Sequence, residues 1–286
     1  MRLLLRPRAC APHSVCLLRP RVEVVDGCDL FTEGSYDEAF KGCSAVFHVA
    51  AVLGNSADGN SQPNATGNVT DDVYSGGLGG TRNVISSVEK SGSVKRVVYT
   101  SSMAAVSGGQ QVAKGHEWTE EDWSNDGVDE KAWNAPANSY PKSKVDTEKF
   151  LNERADASGG AWDVVAMNPA MITGPMLFEA QNGQWIEQVC RIAAGLDPLH
   201  KPEAGQNALD QFYNFIDVRD LVKGHRLAAE SSVDHKASLG GNRYLMHGGR
   251  SADGRSAFKL STDVREILHE LFPAFKLGSA CSSSTA

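Results

Sequence analysis

Tyr140-Pro141-Lys142-Ser143-Lys144 places a phenol and an ammonium four residues apart, and on a helix that spacing brings both to one face. A nearby positive charge favours phenolate, so Lys144 is expected to lower the Tyr140 pKa from its ordinary value of about 10 and let it exchange a proton near neutral pH. Pro141 falls in the first helical turn, where its missing N–H has no helical partner to lose. Thr100-Ser101-Ser102 closes an apolar, strand-like run. There Ser102 is expected to hydrogen-bond a substrate oxygen, with Ser101 as the alternative. A Tyr-x-x-x-Lys spacing by itself is weak, because surface helices produce it by chance with both tips in water. Its weight depends on the elements around it.

The chain has 286 residues, 41% of them hydrophobic and 22% charged, with a formal net charge of −7. Such a chain can bury a large core as one domain or two unequal ones. The acidic balance disfavours nucleic acid as a partner, since a phosphate backbone calls for clustered Lys and Arg. No apolar run approaches the roughly 18 residues that span a bilayer, so no membrane partner is expected. The six cysteines, Cys10, Cys16, Cys28, Cys43, Cys190 and Cys281, form no Cys-x-x-Cys pair and are read as thiols. Cys10, His13 and Cys16 lack a fourth ligand at a usual spacing, so no metal is expected. The reading is a cytoplasmic protein, in which the sequons at Asn64 and Asn68 go unused. Targeting to an organelle by Arg2, Arg6, Arg8, Arg19 and Arg21 is the alternative.

The elements alternate. Residues 22–25 form a β-branched strand and residues 35–41 a helix, with Ser35 as N-cap, Glu38 three positions on and Gly42 as the stop. Ala45-Val46-Phe47-His48-Val49-Ala50-Ala51 is apolar enough for a parallel strand covered on both faces. After a polar loop at 54–68, a helical stretch at 69–90 is interrupted by Gly76, Gly77, Gly79 and Gly80. Residues 94–100 form another buried strand. An acidic loop at 117–133 carries Trp118, Trp123 and Trp133, a helix begins near Ser139 and runs past Phe150, and residues 162–167 supply a further strand. This rhythm predicts a doubly wound α/β sheet, because parallel neighbours need crossover helices.

Four further segments, in order, resemble the extended short-chain dehydrogenase/reductase family, the NAD-dependent epimerase/dehydratase superfamily. They are Asp29-Leu30, Val49-Ala50-Ala51 with the later Gly80-Thr81-Arg82-Asn83, the octapeptide Asn168-Pro169-Ala170-Met171-Ile172-Thr173-Gly174-Pro175, and Phe215-Ile216-Asp217-Val218-Arg219-Asp220-Leu221. Within the family, Thr119-Glu120-Glu121-Asp122-Trp123 ahead of the Tyr140 motif is most similar to the dihydroflavonol reductase and cinnamoyl-CoA reductase group. The resemblance implies an NAD(P)H-dependent interconversion of a carbonyl and an alcohol on a small molecule, with Ser102, Tyr140 and Lys144 as catalytic residues. It implies cofactor contacts at Asp29 and Leu30 for the adenine end and at Val49, Ala50 and Ala51 along the ribose and phosphates. Tyr140 and Lys144 would meet the nicotinamide ribose, and Pro169, Ala170, Met171 and Ile172 would border the nicotinamide. Asp217 and Asp220 are given structural roles. Arg6 or Arg8 at the end of a second strand would meet a 2′-phosphate, so NADP(H) is preferred over NAD(H).

The family opens on a strand running into Gly-x-x-Gly-x-x-Gly, where backbone amides approach the pyrophosphate, and no such run occurs in this sequence. Residues 1–8 and 22–30 match the second and third strands of the family's sheet. The expected architecture is therefore a Rossmann-like parallel sheet lacking its first strand and Gly-rich loop. Either the gene model starts at an internal methionine or skips an exon, which is the favoured reading, or the product is a shortened one. Residues 1–175, with a returning segment near 212–230, are read as the incomplete dinucleotide-binding domain. Residues 176–286 are read as a smaller substrate lobe with helices near 180–194 and 261–271 and a disordered tail from about 278. Two other functions remain open: a catalytically silent homologue acting as a binding or scaffold protein, and a sugar-nucleotide epimerase/dehydratase or 3β-hydroxysteroid dehydrogenase. Substrate identity and oligomeric state are not legible.

Overall fold

A computed structural model describes residues 2–4, 22–51, 73–107, 116–176, 186, 189–190, 212–237, 241–249, 258–259, 265–271 and 273. The expected Arg6 and Arg8 contacts, the Cys10, His13 and Cys16 group, both sequons and the tail lie outside those residues. So does the 180–194 helix, apart from Ile186, Val189 and Cys190, which are helical.

The described elements run β1 (Arg2–Leu4), β2 (Glu23–Val25), α1 (Asp37–Phe40), β3 (Ala45–His48), a π-helical turn (Ser75–Gly79), α2 (Gly80–Ser91), β4 (Arg96–Thr100), α3 (Glu130–Trp133), α4 (Ser139–Ala157) and β5 (Asp163–Pro169). They continue with β6 (Met171–Thr173), β7 (Phe212–Tyr213), β8 (Phe215–Asp217), α5 (Val218–Glu230), β9 (Arg243–Met246), β10 (Phe258–Lys259) and α6 (Arg265–Leu271). The chain divides into two units. The first comprises residues 1–169 with 222–245, and the second residues 170–221 with 246–286.

In the first unit a sheet of order β3-β4-β5-β9 is parallel from β3 through β5, with Phe47 opposite Val98 and Val98 opposite Val165. The run Val97-Val98-Tyr99 is buried on both sides, as the residues of a central parallel strand must be. Helices flank this sheet, and the doubly wound α/β class is borne out. β1 and β2 pair in parallel, Leu3 opposite Val24, as a separate two-stranded sheet. In the second unit, β6 pairs in parallel with β8 and β7 antiparallel with β10.

Three local expectations change. The strand at 45–51 ends at His48 and alternates rather than being covered on both faces, because Phe47 is 45% and Val49 60% exposed while Val46 and His48 are buried. Ser35 does not cap α1. Its hydroxyl donates to Asp29 O at 2.8 Å and accepts from Asp29 N at 3.1 Å, so it latches the preceding turn, and the helix begins only at Asp37. The glycines at 76–80 do not interrupt their helix either. They carry the π-helical turn straight into α2, because other elements approach where a side chain would stand.

A Cβ at Gly77 would overlap the Ser143 Oγ of α4, and one at Gly80 would come within 3.0 Å of Leu30 Cβ. The bare backbone therefore lets α4 and the Leu30 segment pack against this helix. The core built around those contacts includes Leu30, Phe40, Ile85, Val88, Val97, Tyr99 and Leu151. Gly77→Ala is expected to destabilise the fold by about 1–3 kcal/mol through overpacking. Adding Ser143→Ala should recover part of that loss, as measured by shifts in the urea midpoint; equal midpoints for the single and double variants would exclude this contact as the cause.

Candidate active site

Helix α4 starts at Ser139, as the sequence predicts, and it presents Tyr140, Lys144 and Glu148 at successive four-residue steps. β4 faces it with Tyr99 and Thr100, and Ser101 and Ser102 follow at the strand's end. The Ser102 hydroxyl acts on the Tyr140 phenol, and the Lys144 Nζ lies 5.7 Å from the Tyr140 ring centroid. These three expected residues are thus brought together at the end of one strand and the start of one helix. Ser102 is half-buried and also accepts from Ala104 N at 3.1 Å, capping the short turn that follows.

Ser101 is excluded from that hydroxyl pair. Its side chain is buried and donates to Glu148 Oε1, so the adjacent serines meet different residues of α4.

The electrostatics differ from the expectation. Lys144 does not bond to Tyr140. Its ammonium donates to Thr100 O at 3.0 Å and to the Tyr99 hydroxyl at 3.3 Å. The Tyr140 phenol is held above its ordinary range by burial, with the Ser102 hydrogen bond opposing that rise. Loss of hydration is the largest effect on this phenol, and two of the three lysine N–H donors are taken by β4. The same burial pushes the Lys144 ammonium down to about 8, with the Glu148 charge opposing. Tyr99 rises well above the usual phenol range, first through burial and then through the Glu148 charge.

Spacing reasoning passed over the groups behind this site. Glu148 is fully buried and pairs with Arg243 of β9 at 2.7 Å. Asn168 of β5 donates to the other Glu148 oxygen at 2.7 Å and to Ser102 O at 3.1 Å. Arg243 further donates to Glu120 O at 2.6 Å and Asp122 O at 2.7 Å, and its guanidinium lies 3.7 Å from the Trp123 ring centroid. Glu148 carried a signal, since it stands one turn beyond Lys144. Arg243, 95 residues further on, carried none.

The expected cofactor residues fall into different environments. Asp29 accepts from Phe31 N at 3.2 Å, while Leu30 is buried and its carbonyl accepts from Asn83 at 2.7 Å. Its side chain is therefore part of the core. Val49, Ala50 and Ala51 are exposed beyond β3. Pro169 is buried at the end of β5 in the first unit, and Ala170, Met171 and Ile172 are half-buried in the second. Asp217 accepts from the Arg219 N–H at 2.8 Å and from its guanidinium, which holds the carboxyl down to about 2, so it braces the start of α5. Among the described residues no group of three or more His, Cys, Asp or Glu is placed to hold a metal, no helix is long and apolar enough to cross a membrane, and Cys28, Cys43 and Cys190 form no disulfide.

The profile of the NAD dependent epimerase/dehydratase family matches residues 8–240. The chain belongs to this family. Cinnamoyl-CoA reductase CAD2 of Medicago truncatula is 29% identical over 262 residues, covering 89% of this chain and 66% of the reductase. The anthocyanidin reductase of Arabidopsis thaliana is 31% identical over 212 residues, 72% of this chain and 56% of that one. The NADPH-dependent methylglyoxal reductase GRE2 of Saccharomyces cerevisiae is 31% identical over 206 residues, 70% of this chain and 55% of that one. The chain thus spans between about half and two thirds of the length of these relatives.

The solved structure of yeast methylglyoxal/isovaleraldehyde reductase Gre2 complexed with NADPH has a TM-score of 0.69 at 22% identity, covering 95% of this chain and 75% of that one. Vestitone reductase from alfalfa has a TM-score of 0.67 at 20% identity, covering 96% of this chain and 75% of that one. At such identities the likeness concerns the fold. The expected family, and the likeness to cinnamoyl-CoA reductase and its relatives within it, are borne out.

Behind the site, His48 is buried and meets the Thr81 hydroxyl at 2.9 Å. That hydroxyl donates to Gly77 O at 2.7 Å, so it accepts from His48 and fixes the ring proton on Nε2. Burial, then the Lys144 charge, pushes His48 from 6.5 down to about 3. Below pH 6.5 the unfolded chain binds a proton that the folded one refuses, so stability falls as pH falls across that window. The loss from this group is expected to reach about 2 kcal/mol at pH 5. Comparing urea midpoints at pH 7 and pH 5 in the wild type and in His48→Gln checks it: the acid-induced loss should be smaller in the variant, and an equal loss would exclude His48 as its source.

Proposed function

We propose that this chain is an NAD(P)H-dependent oxidoreductase that interconverts a carbonyl and an alcohol on a small molecule, with Ser102, Tyr140 and Lys144 as its catalytic residues. The observation that carries the reading is the gathering of Tyr140, the Ser102 hydroxyl that acts on it and a buried Lys144 ammonium 5.7 Å from the Tyr140 ring. The names of the relatives, which are reductases of cinnamoyl-CoA, anthocyanidin and methylglyoxal, support the reaction class.

The fit to a dinucleotide is good at the reacting end. The hydroxyl pair is half-buried rather than sealed, and Lys144 lies close behind it. At the adenine end, Asp29 and the Leu30 backbone, rather than its side chain, would make contact, and the exposed Val49, Ala50 and Ala51 would lie along the ribose and phosphates. No Gly-x-x-Gly-x-x-Gly cradle for the pyrophosphate occurs in the 286 residues. NADP(H) is preferred over NAD(H), in keeping with the NADPH named for the yeast reductase.

A bound dihydronicotinamide supplies the hydride that reduces the carbonyl carbon. The protein supplies the rest. Ser102 donates to the carbonyl oxygen and orients it. Tyr140 passes its proton to that oxygen as negative charge develops there, and a phenol held above its ordinary pKa by burial starts this step fully protonated. Lys144 stabilises the phenolate left behind, through a field that low local polarity strengthens.

The rival reading, a catalytically silent binding or scaffold protein, rests on the lack of the glycine cradle. Titrating NADPH against the folded chain and following its fluorescence tests both readings: saturable binding supports the oxidoreductase, and none would sink it. Tyr140→Phe is expected to lower turnover of a carbonyl panel by about 10²–10⁴-fold with the fold and NADPH binding retained; unchanged turnover would remove Tyr140 from its role.

A further inference from the structure

Lys144 is 5% exposed, and both acceptors that hold its ammonium, the Thr100 carbonyl and the Tyr99 hydroxyl, are uncharged. A buried ammonium without a counter-charge tends to lose its proton rather than bear the loss of hydration. Glu148 is placed to prevent that, one turn further along α4 on the same face and itself fully buried.

We propose that Glu148 is a positioning residue that acts through Lys144, its buried carboxylate keeping the lysine an ammonium at the end of β4. The inference rests on the catalytic reading of Lys144 above. The carboxylate is held from both sides. Its Oε2 takes the Arg243 Nε at 2.7 Å, and its Oε1 takes Ser101 and Asn168, the latter at 2.7 Å. Arg243 supplies the neutralising charge that lets a carboxylate stand in the interior, yet it sits on β9, beside β5, whereas β4 holds Lys144. Glu148, by contrast, stands on the same helix as the lysine, one turn away on the same face.

The other groups around Lys144 fit this arrangement. Tyr140 precedes it on α4, Tyr99 lies on β4 with its ring 4.9 Å from the Nζ, and His48 on β3 is buried and neutral. His225 of α5 bonds to the Thr100 side chain at 2.7 Å. Among the described residues, Glu148 is the one carboxylate whose charge acts on Lys144. Burial already draws Lys144 down to about 8 against the Glu148 charge, so removing that charge should draw it further, toward neutrality.

The test follows Lys144 directly, in the full chain labelled with carbon-13 lysine at Cε, its resonance assigned by its loss in Lys144→Met. In the wild type the signal should titrate near pH 8. In Glu148→Gln the midpoint should fall by on the order of one pH unit. Should that variant fail to fold because Arg243 is left unpaired, Glu148→Gln/Arg243→Met removes both buried charges together, a change that interiors often tolerate, and the same downward shift is expected. An unchanged Lys144 midpoint in a folded variant would overturn the proposal and leave Glu148 as a tie between α4, β5 and β9. Where the wild type turns over a carbonyl with NADPH, the alkaline limb of kcat/KM should move with the midpoint. Failure of the wild type to bind NADPH would refute the functional reading, while the titration would still decide the role of Glu148.

Discussion

An ammonium inside a protein sets conditions on everything near it, and Lys144 imposes them on the first unit of this chain. Loss of hydration draws it down to about 8, and carbonyl and hydroxyl dipoles of β4 together with the Glu148 charge oppose that fall. The carboxylate in turn needs Arg243, and Arg243 needs the carbonyls of Glu120 and Asp122. One buried charge thus recruits β4, α4, β9 and the Trp123 loop into a single polar network. Such a network is sound only when its members are satisfied, and both oxygens of Glu148 find donors.

Close packing gives this network its precision. The helix that carries Gly77 and Gly80 has no side chains where α4 and the Leu30 segment approach, and its Thr81 hydroxyl fixes His48 at the back of the site. Glycines that lower helix propensity are retained in a helix here because close contact between elements needs the space. Helix α4 is therefore held on two sides, by close packing at Ser143 and Leu151 and by ionic contact at Glu148.

Membership of the epimerase/dehydratase family and the shared fold place this arrangement within a known architecture. What distinguishes the chain is an uneven fit to its proposed cofactor. The proposed proton-transfer groups stand together, with a serine, a tyrosine and a lysine within one strand end and one helical turn. The adenine end is less direct, because the Leu30 side chain is committed to the core and nothing in the sequence supplies a glycine cradle.

Much of this was legible in the residues. The β-branched run at 94–100 had to be a covered strand, the helix had to begin near Ser139 where Pro141 is tolerated, and a four-residue spacing had to put Tyr140 and Lys144 on one face, because these follow from local backbone periods. Local patterns stop where distant groups meet. The choice of Ser102 over Ser101, the taking of Lys144 by β4 instead of Tyr140, the direction of the Tyr140 shift and the pairing of Glu148 with Arg243 were all settled by the assembled interior. Each depends on how much water a group loses and on which charge or dipole approaches from another strand, and neither quantity is a property of neighbouring residues in the sequence.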